Sequence, residues 1–491
     1  MTTRRVARRC TALAATLAAL LGCSTLRSAL VSSGGGETEF EPPRRLRAKD
    51  VALPAGYTIE LVASGFTFPT GVAFDDAGAA YVLEAGYSYG EVWTTPRLLR
   101  VRDDARHEIV ASGGKNGPWT GVAYRRNTFY VAEGGELEGG RILEIAGNGR
   151  MRALIDRLPT RGDHHTNGPA IGPDGSIYFA TGTYTNSGVV GPDDAELGWL
   201  KRFPTEHDVP CRDVRLADRS FESDDPLHDR GTVTTGAFAP FGQVTQPGAI
   251  VRGQVPCSGA ILRIPATGGK PELVAWGFRN PFGLAFSPDG ALYATDNGYD
   301  DRGSRPVHGA GDLLWRVDSG HWYGWPDYHG HRRLDDGDHY TPSGKPVPAP
   351  VLADPPERPP QPVAVLAVHS SSDGFDVSRS ARFGYAGRAF IAQFGDQVPT
   401  TGWVHAPVGF KVVMVDLRSG EIDDFAVNRG KMNGPASWLG GGGLERPIAA
   451  RFDPSGDSLY VVDFGVLTMS SAGARPQPGT GALWRIHRSG S

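Results

Sequence analysis

Apolar residues recur at every second position over short runs, and pairs of these runs are separated by compact turn signals. That is the pattern of a strand, a tight turn and a returning strand. In the stretch GLAFSPDGALYATDNG, Leu284 and Phe286 alternate with their neighbours, and Pro288, Asp289 and Gly290 turn the chain. Leu292 and Tyr293 then lead to an acidic loop at Asp296, Asn297 and Gly298. The pattern recurs in six copies, opening at Pro69, Pro118, Thr166, Arg279, Ser372 and Arg446. After each comes another short apolar strand (LLRVRD, RILEIA, LLWRVD, KVVMVDL, ALWRIH), with AILRIP following the third copy only after a long insertion.

Four-stranded units of this kind cannot bury both faces alone, so they stack radially. The expected fold is all-β, a six-bladed β-propeller whose inner strands each begin at the mouth of a central channel. His164, Arg279 and Arg446 are then expected to converge there. Val51 to Phe66 is expected to enter the first blade, with Ala482 to His487 pairing near it to close the ring. Three stretches lack strand alternation: Thr183 to Pro256, His329 to Pro360 and Lys431 to Gly443. Loops this long are usually functional, and the expectation is long loops on one face, walling in the channel mouth.

Composition narrows the class. With 67 Gly and 38 Pro in 491 residues, the chain is turn-rich. A formal charge of -4, with no basic block beyond the N-terminus, excludes a nucleic-acid footprint and favours a small substrate. Arg4, Arg5, Arg8 and Arg9 precede the apolar run TALAATLAALLG and Cys23, which is the layout of an export signal. Leu20, Leu21, Gly22 and Cys23 are similar to a bacterial lipobox. The expected organisation is a leader over 1–23 ending at the lipidated Cys23, a flexible tether over 24–50, and a propeller over 51–491 carrying an insertion at 184–256. The chain is expected in the cell envelope, periplasmic or extracellular, touching membrane only through the lipid. Cys211 and Cys257 remain for the exported domain and are expected to form a disulfide closing the insertion.

Candidate chemistry gathers at the inner-strand starts. His164 and His165 precede the third copy, and strand alternation predicts that only one faces the channel. An imidazole there suits a general base for an alcohol. Arg279 and Asn280, opening the fourth copy, suit a carboxylate-bearing or quinone ligand. Asp296 to Asp301 with Asp312 offer carboxylates and carbonyls for a hard cation such as Ca²⁺. His329 and His331, with Asp335, Asp336, Asp338 and His339, are a weaker transition-metal candidate. The sequence contains no Cys-x-x-Cys-His haem motif, and Gly440 to Gly443 lacks the strand-to-helix setting of a dinucleotide loop.

The motifs GFRNPFGLAFSPDG, DNGYDDRG, GDLLWRV and YGWP resemble the glucose/sorbosone dehydrogenase family, the pyrroloquinoline quinone (PQQ)-dependent sugar dehydrogenases. DHHTNGPAIGPDG and RPIAARFDPSGDSLYVVDFG are similar to its third and sixth blades. The resemblance implies His164 as the base, Arg279 and Asn280 at the cofactor, and Arg446 and Lys411 as further cofactor ligands. It also implies Ca²⁺ on the backbone carbonyls of Gly298 and Tyr299. Three positions depart from the family: Ile448 for a second late Arg, Phe282 for a Gln, and Thr183 for the carboxylate that orients the base. The resulting expectation is PQQ- and Ca²⁺-dependent oxidation of an aldose or polyol, with the electron acceptor open. The rival from another class is a non-catalytic propeller binding glycan or protein at the channel mouth. A lactonase-like hydrolase would need side-chain carboxylates around a metal.

Overall fold

The computed structural model describes residues 42–490, except 89–91, 229–230, 399, 403 and 471–472. The leader, Cys23 and most of the expected tether lie outside the described residues. Six antiparallel sheets carry the repeat. Their inner strands are Pro69–Phe74, Trp119–Arg125, Thr166–Ile171, Pro281–Phe286, Ser372–Val377 and Pro447–Phe452. Each touches the inner strand of the next blade, and the sixth touches the first, so the ring is closed. The expected six-bladed propeller is the observed architecture.

The Pro-Asp-Gly hairpins work as their residues dictate. In the third blade Asp174 accepts the Ser176 N–H at 2.9 Å, and Gly175 takes the left-handed conformation, φ 82°, that L side chains avoid. Apolar clusters fill the spaces between blades. Ala170, Ile261, Leu284, Leu313 and Trp315 join blades 3 and 4, while Phe390, Phe425, Phe452 and Trp484 join blades 5 and 6. Because both faces of a blade are covered, the second strand of blade 4, Leu292–Asp296, is buried at every position rather than alternately.

The N-terminal strand pairs with the Ala482 to His487 strand as expected, but in the sixth blade rather than the first. Tyr57–Phe66 is the outer strand of the sixth blade, where Ile59 pairs with Ile486, and Val51–Ala52 adds to the edge of the fifth. Closure therefore mixes both ends of the chain within one sheet. Arg44, inside the expected tether, is docked on this blade. It donates to Asp463 at 2.5 Å and to the carbonyls of Thr480 and Gly443 at 2.6 and 2.9 Å.

The insertion carries two short helices, α1 (Pro192–Glu196) and α2 (Trp199–Arg202), and two small two-stranded sheets. Cys211 and Cys257 are bonded, 46 residues apart, and pack in a cluster with Trp276, Trp322 and Trp325. Closing a loop of that length removes about 4 kcal/mol of unfolded-state freedom. Replacing both cysteines with alanine is expected to lower stability by about that amount, read as a lower urea midpoint. An unchanged midpoint would show that packing alone holds the insertion. Among the described residues no helix is long and apolar enough to cross a membrane.

Candidate active site

The starts of the inner strands of blades 3 and 4 open into a cavity of ≈ 400 Å³. His164, His165, Arg279, Asn280 and Gly298 line it, joined by Asp163, Asp300, Arg302, Asp312 and His369. Glu196 and Trp199 reach it from the insertion.

A repeated device sets the backbone at this rim. The carboxylate ending the second strand of blade 4, Asp296, accepts the N–H groups of Arg279 and Asn280 at 3.1 and 2.8 Å and the Trp315 indole at 3.4 Å. In blade 6, Asp463 does the same for Glu445, Arg446 and Trp484. Burial pushes Asp296 up to about 7. Asp296 is thus spent on holding Arg279 and Asn280 in place, not on a cation.

His164 is buried, and Thr183 fixes its ring. Nδ1 lies 3.0 Å from both the Thr183 carbonyl and the Thr183 hydroxyl oxygen. The hydroxyl donates onward to the Thr185 carbonyl at 2.7 Å, so towards the ring it can only accept. Two acceptors at Nδ1 place the proton there and leave the Nε2 lone pair bare. The departure at Thr183 therefore keeps part of the role of the carboxylate it replaces. Asp163 brings a negative charge 3.4 Å from Nε2. Burial would raise Asp163, but Arg302, His164 and Arg279 around it hold its carboxyl well below the usual range.

Burial drives His164 down from its ordinary 6.5 to about 3, against the pull of Asp163 and with a further push from Arg279 and Arg302. Its folded-state pKa is depressed, so the base form persists as pH falls through 6.5. The acid limb of kcat/KM, which reports the free enzyme, is expected well below 6.5 in rate profiles. A limb at 6.5 or above would mean that another group controls it.

Arg279 is buried and tightly held. Nη2 donates to Asp300 at 2.7 Å and to Asn186 Oδ1 at 2.9 Å, and Nε donates to Asn186 Oδ1 at 3.1 Å. Nη1 has no hydrogen bond among the described residues. Arg302 ties the acids together, bonding Asp163, Asp193 at 2.8 Å and Asp300 at 2.9 Å. Asn280 sits in an amide chain, accepting from Asn167 at 2.9 Å and donating to Asn297 at 2.8 Å.

The remaining sequence candidates scatter. Arg446 does not line the cavity. Its guanidinium lies between the rings of Phe394 and Phe410, 4.9 Å from each, and Nη1 donates to the carbonyls of Phe394, Gly395 and Asp396. Lys411 pairs with Asp424 at 2.6 Å and lines a separate cavity. His165, expected to face away, lines the same cavity as His164, because both precede the strand proper, where alternation does not apply. His329 is spent on Tyr340 and the Gly311 carbonyl. Among the described residues no three His, Cys, Asp or Glu side chains are grouped to hold a metal. Sequence reasoning missed Asp163, Asn186, Arg302 and Trp199. The only signals available were the acid directly before His164 and the Arg just before the last Gly of the DNGYDDRG motif.

Residues 248–394 match the glucose / sorbosone dehydrogenase family model. The glucose / sorbosone dehydrogenase match takes in Arg279, Asn280, Gly298 and Tyr299 and leaves His164, Lys411 and Arg446 outside. Solved structures of the same fold include the PQQ-bound aldose sugar dehydrogenase of Streptomyces coelicolor, at 16% identity over 89% of this chain and 100% of that one, TM-score 0.50. The PQQ domain of a pyranose dehydrogenase from Coprinopsis cinerea aligns over 91% and 98% at 14% identity, TM-score 0.53. A calcium structure of the Trichoderma reesei family AA12 enzyme aligns over 92% and 100% at 15%, TM-score 0.53. At these identities the likeness is one of fold. No curated protein matches the chain.

Proposed function

We propose that this chain is an exported, lipid-anchored sugar dehydrogenase that uses PQQ and Ca²⁺ to oxidise an aldose or other polyol. The observation that carries the reading is His164: a buried, neutral imidazole with its proton fixed on Nδ1, opening into the same cavity as Arg279. The family match over the Arg279 segment and the PQQ-containing structures of the same fold support it. Export and lipidation rest on the leader and Cys23.

The residues present fit the two groups. The Gly298 and Tyr299 carbonyls accept no hydrogen bond among the described residues, and such oxygens suit a hard cation. Arg279, through its unused Nη1, and Asn280 would hold the oxygens of the quinone. Lys411 and Arg446 stand apart, so the cavity sets Asp163, Glu196, Asp300 and Asp312 against only Arg279 and Arg302. An anionic cofactor in such a lining calls for the cation beside it. When bound, PQQ supplies the two-electron acceptor for the carbinol hydride. His164 Nε2 takes the hydroxyl proton, and Asp163 stabilises the imidazolium this creates. Arg279 provides fixed positive charge where negative charge develops.

The test is reconstitution. PQQ should bind the purified chain in equilibrium dialysis with Ca²⁺, lose affinity about tenfold or more in chelator, and support dye reduction by an aldose. Saccharide binding without PQQ uptake would make the chain a binding protein. Absence of both would remove the proposal.

A further inference from the structure

Asp163 puts its charge 3.4 Å from His164 Nε2, yet among the described residues its carboxylate accepts a hydrogen bond from Arg302 alone. Where Arg302 is held therefore decides where that charge sits. Arg302 comes from the loop after the second strand of blade 4, and its guanidinium is spread over acids from separate parts of the chain. Nη2 donates to Asp163 and, at 2.9 Å, to Asp300; Nε donates to Asp300 at 3.2 Å; Nη1 donates to Asp193 at 2.8 Å. Asp193 belongs to α1, inside the insertion.

The start of the insertion grips this loop along its length. Asn186 donates to the carbonyls of Asp300 and Arg302 at 2.8 and 3.2 Å, Ser187 donates to that of Arg305 at 2.6 Å, and Arg305 returns a bond to the Ser187 carbonyl at 3.0 Å. The fit at Asp193 is close. Gly303 has φ 82°, and a Cβ there would fall 2.7 Å from both carboxylate oxygens of Asp193. Pro192 starts α1 and Asp194 accepts the Gly191 N–H at 2.8 Å, which fixes the turn that carries Asp193. An arginine loses much rotamer freedom when it is held, so one placement needs several partners, and a planar fork can serve them together.

We propose that the insertion is a positioning element of the catalytic centre, acting through Asp193 and Arg302. Asp193 holds one end of the Arg302 guanidinium, and the other end holds Asp163 beside His164 Nε2. Arg302 also braces Asp300, the acid that bonds Arg279 at 2.7 Å. The base and the fixed positive charge are thus registered to each other by one side chain. When His164 takes the substrate proton, the imidazolium meets a carboxylate already in place rather than one that must move to it. Asp193 and Arg302 act on the reacting groups through Asp163 and Asp300, so both are positioning residues. This rests on the reading of His164 as the base.

The test uses the full chain and has two readouts. The first needs no cofactor: in protein carrying isotope-labelled histidine, the His164 ring signals are assigned by their loss in His164→Ala. Asp193→Asn and Arg302→Met should each move the His164 Nε2 signal, because the charge beside that nitrogen is released, and should leave the signals of His329 in place. The second readout is aldose turnover with PQQ and Ca²⁺. Arg302→Met should lower kcat about tenfold to a hundredfold, as when a reacting group loses its placement, with little change in KM. Asp193→Asn leaves Arg302 its bonds to Asp163 and Asp300 and should cost less, about threefold to tenfold. On an Asp163→Asn background, where the charge at Nε2 is already gone, Arg302→Met should cost nothing further in kcat beyond what Asp300 contributes. Folding is controlled by the melting midpoint, and Asp193→Asn, which removes an acid rather than the shared cation, is the variant read if Arg302→Met does not fold. An unmoved His164 signal, or a kcat loss that repeats in full on the Asp163→Asn background, overturns the proposal and makes Arg302 a structural cross-link. A His164 signal that moves in a chain with no PQQ-linked oxidation would sink the dehydrogenase reading and leave the positioning intact. Oxidation indifferent to both variants would do the reverse.

Discussion

His164→Ala is expected to lower turnover by about 10²- to 10⁴-fold, the range for losing a positioned general base. The geometry behind this number is specific. Thr183 holds the Nδ1 proton through two acceptors at 3.0 Å, so the bare nitrogen is Nε2, and burial keeps the ring neutral. PQQ affinity, measured by dialysis, should change little. His165→Ala is expected to be milder, since its ring lines the same cavity but has no partner that fixes its proton as Thr183 does for His164. If turnover collapses in the His165 variant and survives in the His164 variant, the base has been assigned to the wrong imidazole.

The second large effect is at Arg279. Arg279→Met should cost about 10²- to 10³-fold in kcat, as for removal of a fixed donor at developing charge. It should also cost stability, because Asp300 would lose its 2.7 Å partner inside the protein. Asp300 keeps Arg302 at 2.9 Å, so the cost is expected below the about 3 to 5 kcal/mol of leaving a buried charge with no partner. Rates must therefore be compared where the variant remains folded. Arg279→Lys separates the two losses: it keeps the charge near Asp300 but not the planar fork that binds Asn186 and Asp300 together. Recovery of stability without recovery of rate is the expected outcome. A fully active lysine variant would reduce Arg279 to a structural counter-charge.

The repeat was legible because each blade writes its own local signal, an alternating run and a turn, with Pro-Asp-Gly in the third and fourth blades and an acid ending the second strand of the first, second, fourth and sixth. His164, Arg279 and Asn280 were legible for the same reason, since they stand at fixed places in that repeat. What failed depended on partners far away in sequence. Tyr57–Phe66 pairs with Gly481–Arg488 as expected, but that pairing makes it the outer strand of the sixth blade rather than the entry to the first. Lys411 was placed by loose spacing, while its strand faces it to Asp424. Arg446 holds its place in the repeat, yet two phenyl rings and three carbonyls draw its guanidinium away from the cavity. Trp199 opens a four-residue helix inside the insertion and Arg302 lies in a loop, so no repeat foretells their direction.

The sixth blade also governs how the protein can be made. Its outer strand comes ahead of all six inner strands in the chain, and the strand it pairs with follows them all. Thr58 and Ser489, 431 residues apart, meet side chain to side chain. Until Gly481–Arg488 has been made, Tyr57–Phe66 has only an unpaired edge to offer, and edges invite pairing with other chains. Contacts between such distant residues also form slowly, because the intervening chain must be ordered first. Five blades can assemble as they emerge, but the ring stays open until Gly481–Arg488 arrives. A truncation of even the last strand should therefore yield aggregate rather than a smaller propeller.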